Sequence, residues 1–213
     1  VQRRNAALND RAIYRDQLTM QDYLSARMIS DPFCLYDCDV PIDFCSAVVI
    51  SQLDATSGLA RPPIVIDSLG MAIRSRSSWS QFDDLTTMMM RDAGASLWEQ
   101  TGLRHADVDL AMLYDGFSFI AMAWLEALGF CGKGESGPFI EGGKRISLDG
   151  DLPINTNGGQ LSAGRMHGWG YVPEACTQLW GEGGARQVAR EPSVAVVGAG
   201  GGIYAGAMLL VRS

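Results

Sequence analysis

Three short stretches of the chain carry residues able to move protons or hold an anion: Tyr114-Asp-Gly-Phe-Ser118, the run from Asn155 to Tyr171, and Gly198 to Tyr204. In the first, a phenol and a carboxylate stand side by side ahead of an apolar run. At a strand-to-helix turn they can supply an acid or a base beside the positive end of the helix. The competing reading is that Asp115 caps the helix from Phe117 while Tyr114 half-fills the core. The second stretch sets amides, hydroxyls, Arg165 and His167 among five glycines between Asn155 and Gly170, so side chains and bare backbone can converge on one ligand. An imidazole titrates near neutrality, which suits His167 to proton transfer. The only other histidine, His105, lies in a loop after Gly102 and reads as surface. The third stretch brings Gly200-Gly-Gly202 against Ile203-Tyr204. It has neither GxxxxGK[ST] nor a GxGxxG opening a helix, which argues against a nucleotide phosphate cradle. Cys34, Cys38 and Cys45 form no CxxC pair and have too few histidines nearby for zinc, so no metal site is expected and they read as small buried apolar residues.

The elements that must position these groups alternate. A capping pattern at Thr19 to Asp22 predicts a helix to about Ile29, ended by Asp31-Pro32. Ala47–Ser51 and Ile64–Asp67 read as strands. Phe82 to Gln100 carries Phe82, Leu85, Met89, Ala93 and Leu97 near a 3.6 period and reads as one helix stopped by Gly102. Val108–Leu113 reads as a strand, Phe117–Leu128 as an apolar helix, and Pro173–Trp180 as a helix with Glu174 in its first turn. Ser193–Val197 and Ile203–Val211 close the chain as two further strands. The pattern predicts an α/β domain with a mixed five-stranded sheet covered by helices. Of 25 glycines, 20 lie between Gly129 and Gly206, which makes the first part scaffold and the second the place of close backbone approach. Polar residues outside strand ends of such a sheet are the first functional suspects.

Composition narrows the classes. The 213 residues, 47% apolar and 19% charged, suit one domain or one half of a two-domain enzyme, and argue against disorder. A net charge of −7 makes nucleic acid a poor partner. No apolar run approaches the ~20 residues of a membrane span. Val1–Asp10 has no leader pattern, and its helix-compatible start suggests a piece of something longer. Five scattered cysteines point to reduced thiols and a cytoplasmic setting.

In order and spacing, these segments resemble the C-terminal half of the thiolase superfamily, and in particular its sterol-carrier-type and lipid-transfer branch. Cys38-Asp-Val-Pro-Ile-Asp43 followed by Ser46-Ala-Val-Val49 is similar to that branch's C-D-x-P-x-D-G…A stretch. Tyr114-Asp-Gly-Phe117 falls where thiolases carry Asn-Glu-Ala-Phe. Asn155-Thr-Asn-Gly-Gly159 and Leu161-Ser-Ala-Gly164 resemble N-x-x-G-G…G-H-P-x-G, and Gly198-Ala-Gly-Gly-Gly202 falls on C-x-G-G-G. The resemblance covers nearly the whole chain. It implies a thiolase-like domain over residues 1–213, with a nucleophile-bearing N-terminal half absent from this chain, and a homodimer.

The departures bear on the chemistry. The histidine of G-H-P-x-G falls on Arg165, the cysteine of C-x-G-G-G on Gly198, and the asparagine of Asn-Glu-Ala-Phe on Tyr114. The remaining set resembles the lipid-transfer aldolases of steroid side-chain breakdown, which act with a partner subunit bearing a zinc ribbon and an OB fold. That resemblance implies retro-aldol cleavage of a β-hydroxyacyl-CoA, with coenzyme A as part of the substrate and no bound cofactor. Tyr114, His167 and Tyr204 are then the expected catalytic groups. Asp115, Asn155, Arg165, Gly200, Gly201 and Gly202 are expected to hold the substrate. Two alternatives stand beside it: acyl transfer with the nucleophile on the absent half, and a non-catalytic lipid-binding or scaffold subunit.

Overall fold

The computed structural model describes residues 1–73 and 82–213. Its centre is a four-stranded mixed sheet in the order β3 (Ile64–Ile73), β6 (Tyr204–Arg212), β5 (Val194–Gly201), β4 (Leu110–Leu113). The β3–β6 and β6–β5 pairs are antiparallel, and β5–β4 is parallel. A separate two-stranded sheet joins β1 (Met28–Ser30) to β2 (Phe33–Cys34).

The strands alternate their side chains between two packed faces, as a pleat requires. On one face Val196, Ala205, Ala207 and Leu209 meet Ala93 and Leu97 of helix α3 (Met89–Glu99) and Trp124 and Leu125 of α4 (Ser118–Ala127). On the other, Leu110, Met112, Ala195, Val197 and Leu210 meet Tyr171, Ala175 and Leu179 of α7 (Tyr171–Leu179). Three short helices, α1 (Gln2–Ala7), α2 (Met20–Leu24) and α6 (Gly159–Ser162), and the helix α5 (Ser136–Ile140) complete the described elements that matter below.

Four expectations need correction. Among the described residues the sheet has four strands, not five: residues 47–51 pair with nothing regular, and Val49 and Ile50 are 97% and 75% exposed. Ile154 adds to the open edge of β4 by a single parallel bridge to Ala111. The Thr19 cap is real, with Thr19 Oγ1 accepting from the Asp22 N–H and the Asp22 carboxylate accepting from the Thr19 N–H, but its helix stops at Leu24. Residues 28–30 instead form β1, because Pro32 disfavours helical backbone just before it and the hairpin with β2 gives these groups partners. The helix expected from Phe82 begins at Met89. Asp84 draws the Thr86 N–H and the hydroxyls of Thr86 and Thr87 onto its carboxylate and pairs with Lys133 at 2.8 Å, a local network that competes with helix. Residues 74–81, which precede that stretch, lie outside the described residues. Finally, Cys34 is buried, but Cys38 is half-buried and Cys45 exposed; all five thiols are free.

No helix among the described residues is long and apolar enough to cross a membrane. Large apolar side chains nevertheless face solvent: Met71 and Ile73 of β3 are 80% and 71% exposed, besides Val49 and Ile50. Apolar surface of that kind marks an interaction site or an aggregation liability. The isolated 213-residue chain is therefore expected to self-associate on size exclusion with light scattering, and a well-behaved monomer would contradict this.

Candidate active site

Strand β4 is buried along its whole length and runs parallel to β5. Tyr114 follows it at the carboxyl end, its N–H donating to the Gly198 carbonyl at 2.9 Å, so the ring leaves the sheet half-buried where the two core clusters meet. Its hydroxyl lies 3.4 Å from Nδ1 of His167, and the imidazole tautomer decides which of the two donates. Burial pushes the Tyr114 phenol above its ordinary range; the Gln160 side chain pulls it down, and Asp39, Tyr204 and Asp115 push it up.

His167 reaches the phenol on a backbone in the left-handed region, φ 48°, which is uncommon for a residue with a side chain. Its N–H and that of Met166 both donate to Oε1 of Gln160, at 2.7 and 3.0 Å. Just before it, the Arg165 N–H donates to the Val40 carbonyl at 2.6 Å and the guanidinium faces Asp39 at 3.5 Å. Asp39 is itself fixed by its N–H donating to Gly116 at 3.1 Å. Burial raises the Asp39 carboxyl, and the charges of Arg165 and His167 oppose that rise. Tyr114, His167, Arg165 and Asp39 thus form a connected polar rim, with His167 and Arg165 exposed.

Beneath the rim lies a fully buried carboxylate. Asp115 accepts from the N–H of Gln160 at 2.8 Å, from that of Leu161 at 3.4 Å, from Nε2 of Gln2 at 2.8 Å, and from the Tyr171 hydroxyl in a very short bond. Burial pushes the Asp115 carboxyl up to about 6 despite these donors, and burial also holds the Tyr171 phenol well above its ordinary value. Neither reading of Asp115 from sequence describes this place. It does not cap α4, whose N-cap is Phe117 with no side-chain bond. It reaches across the chain to the first turn of α6, and it has no open side toward a ligand. A side chain at Gly159, φ 62°, would run into the Asp115 carboxylate, so glycine is needed there for this close approach.

Asn155 is also turned inward. Its amide oxygen accepts from the Leu113 N–H and its amide nitrogen donates to the Leu113 carbonyl, both at 2.8 Å, so it extends the edge of β4 instead of facing a substrate. The glycine run serves the scaffold in the same way. The Gly200 carbonyl accepts from Trp124 Nε1 at 3.0 Å, and the Gly202 carbonyl from the Met89 N–H at 3.2 Å; Gly201 pairs with Tyr204 across the hairpin. At Gly198 a Cβ would come within 2.9 Å of the Trp124 indole, so the ring occupies the room a side chain there would need. Tyr204 is 59% exposed at the start of β6. His105 is exposed, as expected.

Sequence reading missed Asp39, Gln160 and Tyr171, and the link to Gln2. Tyr171 ends the glycine-rich stretch and Gln160 sits inside it, but nothing in their spacing marks them as partners of Asp115. An apolar cavity of about 480 Å³ opens beside the rim, lined by Met71, His167, Trp169, Val172, Val197 and Met208 among others. It opens apolar space next to the imidazole.

Residues 72–213 match the family described as Thiolase C-terminal domain-like. The chain is 37% identical over 187 residues to the 17-hydroxy-3-oxo-4-pregnene-20-carboxyl-CoA lyase of Mycobacterium tuberculosis, covering 84% of this chain and 47% of that protein. It is 33% identical to the steroid side-chain-cleaving aldolase of Thermomonospora curvata, covering 82% and 46%. The solved Ltp2-ChsH2(DUF35) aldolase superposes with a TM-score of 0.87 at 28% identity, over 100% of this chain and 56% of that one. The chain spans about half the length of the curated relatives it matches.

Proposed function

We propose, because this chain belongs to the thiolase C-terminal domain-like family, that it forms part of an acyl-CoA enzyme that breaks the carbon–carbon bond β to the thioester by retro-aldol cleavage. The observation that carries this reading is the Tyr114–His167 pair, 3.4 Å apart at the edge of an apolar cavity, in a chain where Trp124 fills the space beside Gly198. The names of the curated relatives, a CoA lyase and a side-chain-cleaving aldolase, support it.

Retro-aldol chemistry asks for little beyond these groups. A base takes the proton of the β-hydroxyl, the Cα–Cβ bond breaks to leave a ketone or aldehyde, and its electron pair forms the thioester enolate. An acid then returns a proton to Cα. No covalent nucleophile is required; a proton carrier and donors for the enolate suffice. Tyr114 and Tyr204 are the candidates for the two proton transfers, His167 the partner that accepts from or donates to Tyr114, and Arg165 the exposed cation beside the forming oxyanion. Asp115 and Asn155 act from behind, fixing the turns on which these groups stand. The apolar cavity takes the body of the acyl group, and a polycyclic one is part of this reading because the curated relatives' names are those of steroid-cleaving enzymes. The pairing named in the solved aldolase supports a second subunit, and a zinc-ribbon and OB-fold partner and a homodimer remain part of this reading.

The test is turnover of a β-hydroxyacyl-CoA by the complete protein. Expected are equimolar carbonyl product and shortened acyl-CoA, with no acyl-enzyme detected by mass spectrometry of the intact chain. A trapped acyl-enzyme with CoA-dependent product formation would replace this reading with acyl transfer, which the 29% identity to an acetyl-CoA acetyltransferase of Methanothermobacter thermautotrophicus keeps in view. A folded, partner-bound protein that shows neither retro-aldol cleavage nor acyl transfer would leave a binding subunit.

A further inference from the structure

We propose that Gln160 is a positioning residue of the Tyr114–His167 pair: its amide oxygen clamps the His167 backbone, and its unpartnered amide N–H donates to Tyr114 when that phenol gives up its proton. The inference rests on the acid–base reading of Tyr114 given above.

Gln160 is fully buried, and every polar atom but one has a partner. Its N–H donates to Asp115 at 2.8 Å and its carbonyl accepts from the Val40 N–H at 3.1 Å. Oε1 accepts twice, from the N–H groups of Met166 and His167, which uses both of its lone pairs. These two donors also settle the orientation of the amide. Turned over, it would set its own N–H against two backbone N–H groups and leave its oxygen without a donor. Nε2 must therefore point the other way, where it meets no acceptor in bonding geometry. A buried donor without a partner is costly, and such a group in a site is a reserve for a charge that appears later.

Two phenols touch groups that Gln160 itself holds, Tyr171 through Asp115 and Tyr114 through His167, and the Gln160 side chain favours the ionised form of each. Tyr171 is already committed. Its hydroxyl donates to Asp115 and its oxygen accepts from the Asp115 N–H at 3.2 Å, while the neighbouring carboxylate opposes its ionisation. Tyr114 is not: its oxygen has only the 3.4 Å contact with His167. The groups that face Tyr114 are Asp39 from the segment before the sheet, with Arg165 paired to it; Asp115 at its own turn; Tyr204 from the hairpin; and His167 across the rim. Asp39, Asp115 and Tyr204 all resist a phenolate; Gln160 is the neighbour that favours one. A clamp for the His167 turn needs only an acceptor, which a carboxylate would supply equally well. The amide adds the donor.

Gln160→Met removes acceptor and donor together. Gln160→Glu keeps an acceptor for Met166 and His167 and removes the donor, so it carries the test if the methionine variant fails to fold. The complete protein is labelled with 3-fluorotyrosine, and the Tyr114 resonance is identified by its loss in Tyr114→Phe. Fluorine NMR then follows its titration, and kcat is measured against pH on the same samples. Both variants are expected to raise the Tyr114 titration by about one unit, a tenfold change, and to shift the ionisation limb of kcat in the same direction. A Tyr114 titration unmoved in a folded variant overturns the role of Gln160, whatever happens to turnover. A moved titration together with wild-type kcat in Tyr114→Phe upholds the amide–phenol contact and overturns the acid–base reading instead.

Discussion

Tyr114→Phe is expected to lower kcat on a β-hydroxyacyl-CoA by about 10²–10⁴-fold while leaving the melting temperature close to wild type. The ring keeps its place between the two core clusters, so the packing survives the change. The hydroxyl itself meets only the exposed His167 at 3.4 Å, and losing so weak a bond costs about 1 kcal/mol or less of stability. Its loss in the transition state is another matter, because it removes the group that moves the proton. Tyr204→Phe is the informative companion. Tyr204 is 59% exposed at the hairpin, so its hydroxyl contributes little to folding, and any large fall in kcat must be chemical. Comparable losses in both variants indicate two proton transfers with one phenol each. A loss confined to Tyr204→Phe transfers the role to that residue. Wild-type turnover in both would leave the cleft as a binding surface and favour the scaffold reading.

These expectations start from residues that the sequence already sets apart, but their partnership is not visible there. Strand β4, helix α4 and the closing hairpin are legible because their signals are local: an apolar run bounded by turn residues, or a 3.6 period stopped by glycine. Residues 47–51 mislead for the same reason. Val48, Val49 and Ile50 have strand composition, yet a strand needs a neighbour to pair with, and pairing is decided by distant chain. Asp84 shortens α3 through hydrogen bonds that only the folded turn displays.

The site divides along the same line. Tyr114, His167 and Arg165 are chemically conspicuous and do come together at one rim. Asp115 and Asn155 are equally conspicuous, yet both turn inward, because a buried segment of irregular backbone must find partners for its N–H and C=O groups. Asn155 satisfies Leu113, and Asp115 satisfies the start of α6. Glu174 follows suit: placed in the first turn of α7 as the sequence suggests, it instead binds Arg186 and Thr156. In this half of the molecule, polar side chains first complete the backbone and only the remainder face the cleft.

That division makes Asp115 the residue with the largest expected effect on stability. Its carboxyl is fully buried and burial raises it to about 6, above the value of about 3.9 for an unfolded aspartate. The folded state therefore holds a proton that the unfolded state has already released between about pH 4 and 6, so stability falls as pH rises through that window. The difference amounts to about 3 kcal/mol in all, at about 1.4 kcal/mol for each unit, and is complete a little above pH 6. The contribution is present below pH 4, is lost on the way to neutrality, and changes no further above that. Asp115→Asn removes the titration but keeps most of the geometry. Its amide oxygen can still accept from Tyr171 and the Gln160 N–H, and its amide nitrogen can meet the Gln2 side chain once that half-buried amide turns over. Urea unfolding of the complete protein at pH 4, 5, 6 and 7 should show wild type losing stability relative to Asp115→Asn across the series, with the change concentrated between pH 4 and 6. A difference that stays flat with pH would mean that Asp115 keeps an ordinary carboxylate range in the folded protein. The four donors converging on it would then outweigh its burial, and it would hold α6 as a charged anchor at every pH where the protein works.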